Sequence, residues 1–279
     1  MKKEIRLIGL DLDGTTFTND KRITKYTKEI IEKAIKQGIT VLPCTGRPYT
    51  GLPKEFLEIK GIKYAITSNG AVIVEADTGK SIYMNNISYD LAADTMEKLL
   101  KLDILTAAYI NGKYYMEQEI VNRMPEFISS NGQLKYFYRV RNSVQNLPDF
   151  IRQNQFSVEK IYMMFNDMDL REQVKKEYEE NKEFLTTSSM NNLVELNAPK
   201  ADKGNALLAL ADILHIPHEQ TMACGDHYND EAMLQKAGFS VAMGNAVPEI
   251  KAMCDFVTRT NEEEGVAYAI ERVMNGRFL

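Results

Sequence analysis

Both ends of the chain alternate short apolar runs with longer stretches of helical periodicity. Residues 5–10 form a compact apolar run, as in a strand buried on both faces. Residues 24–37 place Ile30, Ile31, Ala34 and Ile35 on one helical face, and Gly38 supplies a stop. Residues 39–44 read as a second strand and 64–67 as a third, with a helix-like stretch between them. The rhythm returns towards the C-terminus. Helices are predicted over 203–214, 230–237, 248–253 and 265–274, and strands over 221–224, 239–242 and 256–257. Such βαβ order predicts a parallel sheet with helices on its faces.

Residues 84–192 read differently. They hold Tyr109, Tyr114, Tyr115, Tyr136, Tyr138 and Tyr162, and residues 135–140 alternate apolar and polar positions. Alternation predicts a strand with one solvated face, hence an antiparallel or mixed sheet. Helical stretches at 91–102 and 170–180 would cover the other face. The expected fold class is α/β: a Rossmann-like core with a mostly parallel sheet, built from residues 1–83 and 193–279, with an inserted α+β domain at 84–192.

Composition narrows the function classes. The 279 residues are 44% hydrophobic and 26% charged, enough for a sizeable core. A net charge of -5 argues against a nucleic-acid binder, yet leaves room for a locally positive site that takes small anions. Cys44, Cys224 and Cys254 are widely spaced and match no disulfide or zinc pattern, which suits a reducing cytoplasm. The first ten residues lack a signal-peptide pattern, and no stretch approaches the roughly 20 apolar residues of a membrane span.

The candidate chemistry lies where predicted strands end, which is where open α/β sheets place ligands. In DLDGT, Asp11 and Asp13 would share a face of an extended strand, and the Gly14 turn could bring both to one ion. A hard cation such as Mg²⁺ prefers such oxygen ligands. A solvated acidic turn is the plain alternative. A calcium loop fits poorly, because its sixth and twelfth positions would be Thr16 and Arg22. CTGRP, at 44–48, offers the Thr45 hydroxyl and the unhindered Gly46 amide to an anion, with a helix starting at Pro48; taken alone, a simple capped turn is the stronger reading. Lys203 opens a helix against its macrodipole, which calls for a nearby negative charge; a surface lysine is the competing reading. GDHYND, at 225–230, adds Asp226, Asn229 and Asp230, with His227 read as incidental.

Taken in order, these four stretches resemble the four motifs of the haloacid dehalogenase-like superfamily of phosphatases. SNGA (68–71), VAMGNAVPEIK (241–251) and the EEEGVAYAI tail are similar to the Cof-type subfamily, whose large cap is inserted between the second and third motifs. The resemblance covers both core halves. It implies Asp11 as nucleophile and Asp13 as acid and base. It also implies Mg²⁺ held by Asp11, the Asp13 carbonyl and Asp226, with Asp230 orienting Lys203 or a metal-bound water. Thr45, Gly46, Lys203 and Asn229 would contact the phosphoryl group, and Arg47, Asn69 and Asn245 the substrate. Arg123, Arg139, Arg141 and Lys160 in the cap could meet a polar substrate tail, although solvated surface charges are the preferred reading. The implied activity is hydrolysis of small phosphorylated metabolites, with a sugar phosphomutase or phosphotransferase, or a non-catalytic phospholigand-binding protein, as alternatives.

Overall fold

The structure, a computed structural model, describes residues 4–276. The chain separates into two compact units. The first comprises residues 1–46, 52–83 and 202–279, and the second 47–51 and 84–201.

The first unit opens with strands β1 (Leu7–Leu10), β2 (Thr40–Pro43), β3 (Tyr64–Thr67), β4 (Val72–Glu75) and β5 (Ser81–Met84). Between β1 and β2 runs helix Lys25–Lys36. Thr24 caps it by accepting the Thr27 N–H at 3.1 Å, and Ile30, Ile31 and Ala34 are its buried face. β3 continues from β2 through a parallel bridge between Cys44 and Ile66, then pairs antiparallel with β4. The helix expected from Pro48 is instead a single tight turn at Tyr49–Gly51.

The second unit holds β6 (Leu105–Ile110), β7 (Lys113–Glu117), β8 (Arg141–Val144), β9 (Lys160–Met164), β10 (Leu185–Thr187) and β11 (Leu193–Asn197). They form one mixed sheet in the order β10-β11-β9-β6-β7-β8, antiparallel except for the β7–β8 pair. Three expectations are corrected here. Residues 135–140 lie in helix Asn131–Val140, capped by Ser130, because Phe137 and Val140 bury at helical spacing against Tyr114 and Tyr162. The central strands β6 and β9 have no solvated face. Tyr109 packs with helices Gln118–Phe127 and Asn131–Val140, while the Thr106 hydroxyl turns to Met96 on helix Tyr89–Leu99. Residues 193–197, assigned from sequence to the core, pair with β9 from Leu193↔Met164 to Leu196↔Ile161.

Lys160, read from sequence as a surface charge, is 1% exposed and its ammonium lies 2.6 Å from Glu195. The same ammonium sits 4.6 Å from the Tyr109 ring centre. Removing one member of a buried pair strands the other charge. Lys160→Met is therefore expected to lower the stability of the protein by about 3–5 kcal/mol in urea unfolding, and Lys160→Met with Glu195→Leu to recover most of it. Equal losses in the single and double variants would contradict a buried, mutually compensating pair.

The chain returns to the first unit at helix Lys203–Ile213 and strands β12 (Thr221–Gly225), β13 (Phe239–Ala242) and β14 (Phe256–Val257). The core sheet is fully parallel, in the order β14-β13-β12-β1-β2. In its register Leu10 lies level with Pro43 on one side and Cys224 on the other. The segments that follow three adjacent strands therefore emerge side by side. Cys44 and Cys224 are buried within this core, and all three cysteines are free thiols. Among the described residues no helix is long and apolar enough to cross a membrane.

Candidate active site

Register alone delivers Asp11, Thr45 and Asp226 to one edge of the parallel sheet, since each follows the end of β1, β2 or β12. Lys203 arrives from the start of its helix. Asp202 caps that helix by accepting the Asn205 N–H at 2.7 Å and also pairs with Lys236 at 2.9 Å, which fixes the first turn. Gly70, at φ +97°, lets the backbone of the SNGA turn lie directly against Asp202 and Lys203; a side chain there would strike the main chain.

The Lys203 ammonium is buried and stands 2.6 Å from both Asp11 Oδ1 and Asp230 Oδ1. The negative charge that its helix-start position required is thus supplied twice. Burial by itself would lower the lysine's pKa, but Asp11 and Asp230 more than reverse that and raise it, so it stays an ammonium. Asp230 is engaged at both oxygens. Its Oδ2 accepts the backbone N–H groups of Asp226 and His227 at 3.1 and 3.4 Å, which ties the loop after β12 to the lysine. Asn229 lies half-buried in the Tyr228–Asp230 turn, between the two aspartates in sequence.

Asp226 is positioned from the other side. Its Oδ1 accepts the Thr15 hydroxyl at 2.9 Å. Gly14, at φ +88°, leaves open the space beside the Asp226 carboxylate that a Cβ would fill. DLDGT thus uses its glycine and its first threonine to seat a carboxylate 211 residues away. The sequence reading gave Thr15 no role, although its place in DLDGT was the available signal.

Asp11, Asp226 and Asp230 each offer an oxygen within 4.8 Å of the others. Burial, then Asp230, pushes the Asp11 carboxyl well above the usual range, with Lys203 opposing. Burial, again followed by Asp230, pushes Asp226 up to about 6. Three carboxylates against one ammonium leave two negative charges unbalanced when all are ionised. A divalent cation balances that deficit, and the all-oxygen donor set suits a hard one.

The remaining expected residues fall as follows. Thr45 is buried; its N–H donates to Ile66 O at 2.9 Å and its carbonyl accepts from Asn69 N–H at 3.1 Å, so the Thr45 and SNGA turns are fastened together. Gly46 closes the first-unit segment. Arg47 belongs to the second unit, where its guanidinium stacks 5.3 Å over the Tyr136 ring. Asn69 is buried at φ +61°. Asn245, expected to face substrate, commits both ends of its amide to protein backbone, at Gly14 O and Asn261 N. Asp13 lies on the exposed side of its turn and pairs with Lys21 at 2.9 Å. In the second unit, Arg123 bridges Asp103 and Glu126, and Arg139 and Arg141 lie over the Tyr136 and Tyr138 rings.

A parallel sheet whose neighbouring strand ends gather three carboxylates around a buried lysine defines an α/β core with its polar site at the carboxyl ends of its strands. The chain belongs to the haloacid dehalogenase-like hydrolase family, whose model matches residues 8–270. Phosphatase YwpJ of Bacillus subtilis is 32% identical over 292 residues, covering 97% of this chain and all of that protein. The 5-amino-6-(5-phospho-D-ribitylamino)uracil phosphatase YwtE of the same organism is 28% identical, covering 98% of this chain and 100% of its own. Among solved structures, a haloacid dehalogenase-like hydrolase from B. subtilis superposes with a TM-score of 0.83 at 30% identity, covering 96% of this chain and 99% of that one. The protein is a phosphatase, a phosphohydrolase of small phosphorylated molecules.

Proposed function

We propose that the protein hydrolyses phosphate monoesters of small metabolites through a phosphoryl group carried on Asp11. The observation that carries this reading is the Lys203 ammonium held 2.6 Å from the buried Asp11 carboxylate, at the edge where three strands end together. The lysine opposes the protonation that burial and Asp230 favour, and it aims the carboxylate as a nucleophile must be aimed. Asp11 attacks phosphorus, the ester oxygen leaves, and Asp13 gives that oxygen its proton. Asp13 then takes a proton from the water that cleaves the acyl phosphate, returning Asp11 as a carboxylate. Thr45, Gly46, Lys203 and Asn229 bind the phosphoryl oxygens as charge spreads over them.

Asp11, the Asp13 carbonyl and Asp226 would hold Mg²⁺, while Asp230 orients Lys203. Its chemistry is charge neutralisation, allowing an anionic nucleophile to meet an anionic ester. Choice among leaving groups is assigned to the second unit as a cap. A phosphorylated ribitylamino-pyrimidine, the compound named for YwtE, heads the substrates to try, followed by sugar phosphates.

Mg²⁺ binding has a pH signature. Burial and then Asp230 push the Asp226 carboxyl from its ordinary value of 3.8 up to about 6 in the folded chain. Its ionised form therefore costs stability. The cost is absent below about pH 4, grows as pH rises and is complete above about pH 6. A cation that binds the ionised cluster removes it. Adding Mg²⁺ to EDTA-stripped protein is expected to raise the melting temperature little near pH 4.5 and progressively more up to about pH 6.5. Phosphate release from an aryl phosphate should vanish with EDTA and return with Mg²⁺. A melting shift independent of pH, or turnover unaffected by EDTA, would contradict the proposed site.

A further inference from the structure

The turn that carries Asp13 is held in place by side chains from the far end of the chain. After β1 the backbone closes a turn through Phe17 N–H to Leu12 O at 2.8 Å and Thr16 N–H to Asp11 O at 3.3 Å. Two other carbonyls of this segment face asparagine amides. Gly14 O accepts from Asn245 Nδ2 at 2.8 Å, and Phe17 O accepts from Asn261 Nδ2 at 2.9 Å. The Asn261 amide also reaches Asn19 Oδ1 at 3.2 Å. The two asparagines are joined to each other, since Asn261 N–H donates to Asn245 Oδ1 at 2.9 Å. Next to them, Glu262 accepts the Asn19 N–H at 2.5 Å, and the Glu264 carboxylate accepts the Thr24 and Thr27 hydroxyls at 2.7 and 2.6 Å.

Asp13 needs such support. Its backbone and that of Gly14 leave helical geometry inside the turn, at φ -81° and φ 88°. Its pair with Lys21 has both side chains well exposed, at 41% and 60%, and a solvent-screened pair of that kind holds a side chain only weakly. The direction in which the Asp13 side chain leaves the backbone follows the turn, and the turn's carbonyls are pinned by the two asparagines. Asn261 is only 8% exposed, so its bonds compete little with water.

We infer that Asn245 and Asn261 are positioning residues for Asp13, a clamp from the C-terminal segment that aims the proton donor at the leaving oxygen. The inference rests on the reading of Asp13 as acid. A misplacement of about 1 Å costs roughly 100-fold in a catalytic step, and here the loss falls only on substrates that need the proton. A phenolate leaves readily without one, whereas an alkoxide does not.

The test compares kcat/KM for an aryl phosphate and an alkyl phosphate, which reports the steps up to phosphoryl transfer and excludes the later water step. Asn261→Ala and Asn245→Ala are expected to lose about 30- to 100-fold on the alkyl ester and less than about threefold on the aryl ester. A lower folded fraction would scale both substrates equally. The isosteric Asn245→Asp, which keeps the acceptor to Asn261 and loses the donor to Gly14, serves if an alanine variant does not fold. Asp13→Asn is measured alongside. Equal losses on the two esters in the asparagine variants, or no loss, while Asp13→Asn discriminates between them, overturns the clamp. Absence of discrimination in Asp13→Asn itself overturns the acid assignment, and the inference with it.

Discussion

Asp11→Asn is expected to reduce phosphate release by about four orders of magnitude or more, while leaving the fold intact and, without metal, more stable than the parent. The two effects have one origin. The Asp11 carboxyl is buried and pushed well above its normal range by burial and by Asp230. Its ionised form is therefore a cost to the folded state at neutral pH. The amide removes that charge, and Lys203 keeps Asp230 as partner at 2.6 Å. In EDTA near pH 7.5 the variant should unfold at a higher urea concentration than the parent. The sign follows from linkage: the cost is absent where both folded and unfolded Asp11 are protonated, so the gain should shrink towards pH 4. With Mg²⁺ the order should narrow or reverse, because the parent has the extra anionic ligand. Retained turnover would remove Asp11 from the nucleophile role, and a loss of stability in EDTA would contradict the charge account.

Lys203→Met should be damaging in both respects. It leaves Asp11 and Asp230 buried without the ammonium that lies 2.6 Å from each. Breaking a buried ion pair from one side costs about 3–5 kcal/mol. Activity should fall by about 100- to 1000-fold, the usual scale for one preorganised charge acting on a transition state. Lys203→Arg should not restore it, since the planar guanidinium cannot occupy a pocket shaped to a compact ammonium between two carboxylates. Denaturation and steady-state kinetics on the same samples check the pair of effects. Wild-type stability in Lys203→Met would mean the carboxylates are not charged together.

Much of the site was legible in the sequence because each strand-end motif follows an unbroken apolar run. DLDGT, CTGRP and GDHYND fall at sheet ends by hydrophobic pattern alone, and Lys203 stands out because its charge opposes a helix start. Their register was not legible: that Leu10 lies level with both Pro43 and Cys224 depends on pairing between segments far apart in sequence. Residues 135–140 misled because Tyr136, Phe137 and Tyr138 favour strands locally, and packing of Phe137 and Val140 overrode that preference. Residues 193–197 resemble a core strand on approach to Lys203, yet their partner is β9. Lys160 looked solvated because lysine rarely buries, and Glu195, the carboxylate that makes burial tolerable, is 35 residues away. Asn261 had no local signature at all. Its importance comes from Phe17, 244 residues distant.

The most direct test is to trap the phosphorylated enzyme. Wild-type protein mixed with Mg²⁺ and substrate is quenched in acid during turnover, reduced with borohydride and analysed by peptide mass spectrometry. An acyl phosphate on a carboxylate is reduced to the alcohol, so Asp11 should be recovered as homoserine. Asp13, Asp226 and Asp230 should remain aspartate, and the signal should be absent without substrate. Conversion at another carboxylate, or none at Asp11 under conditions that give a burst of the leaving alcohol, would contradict the account.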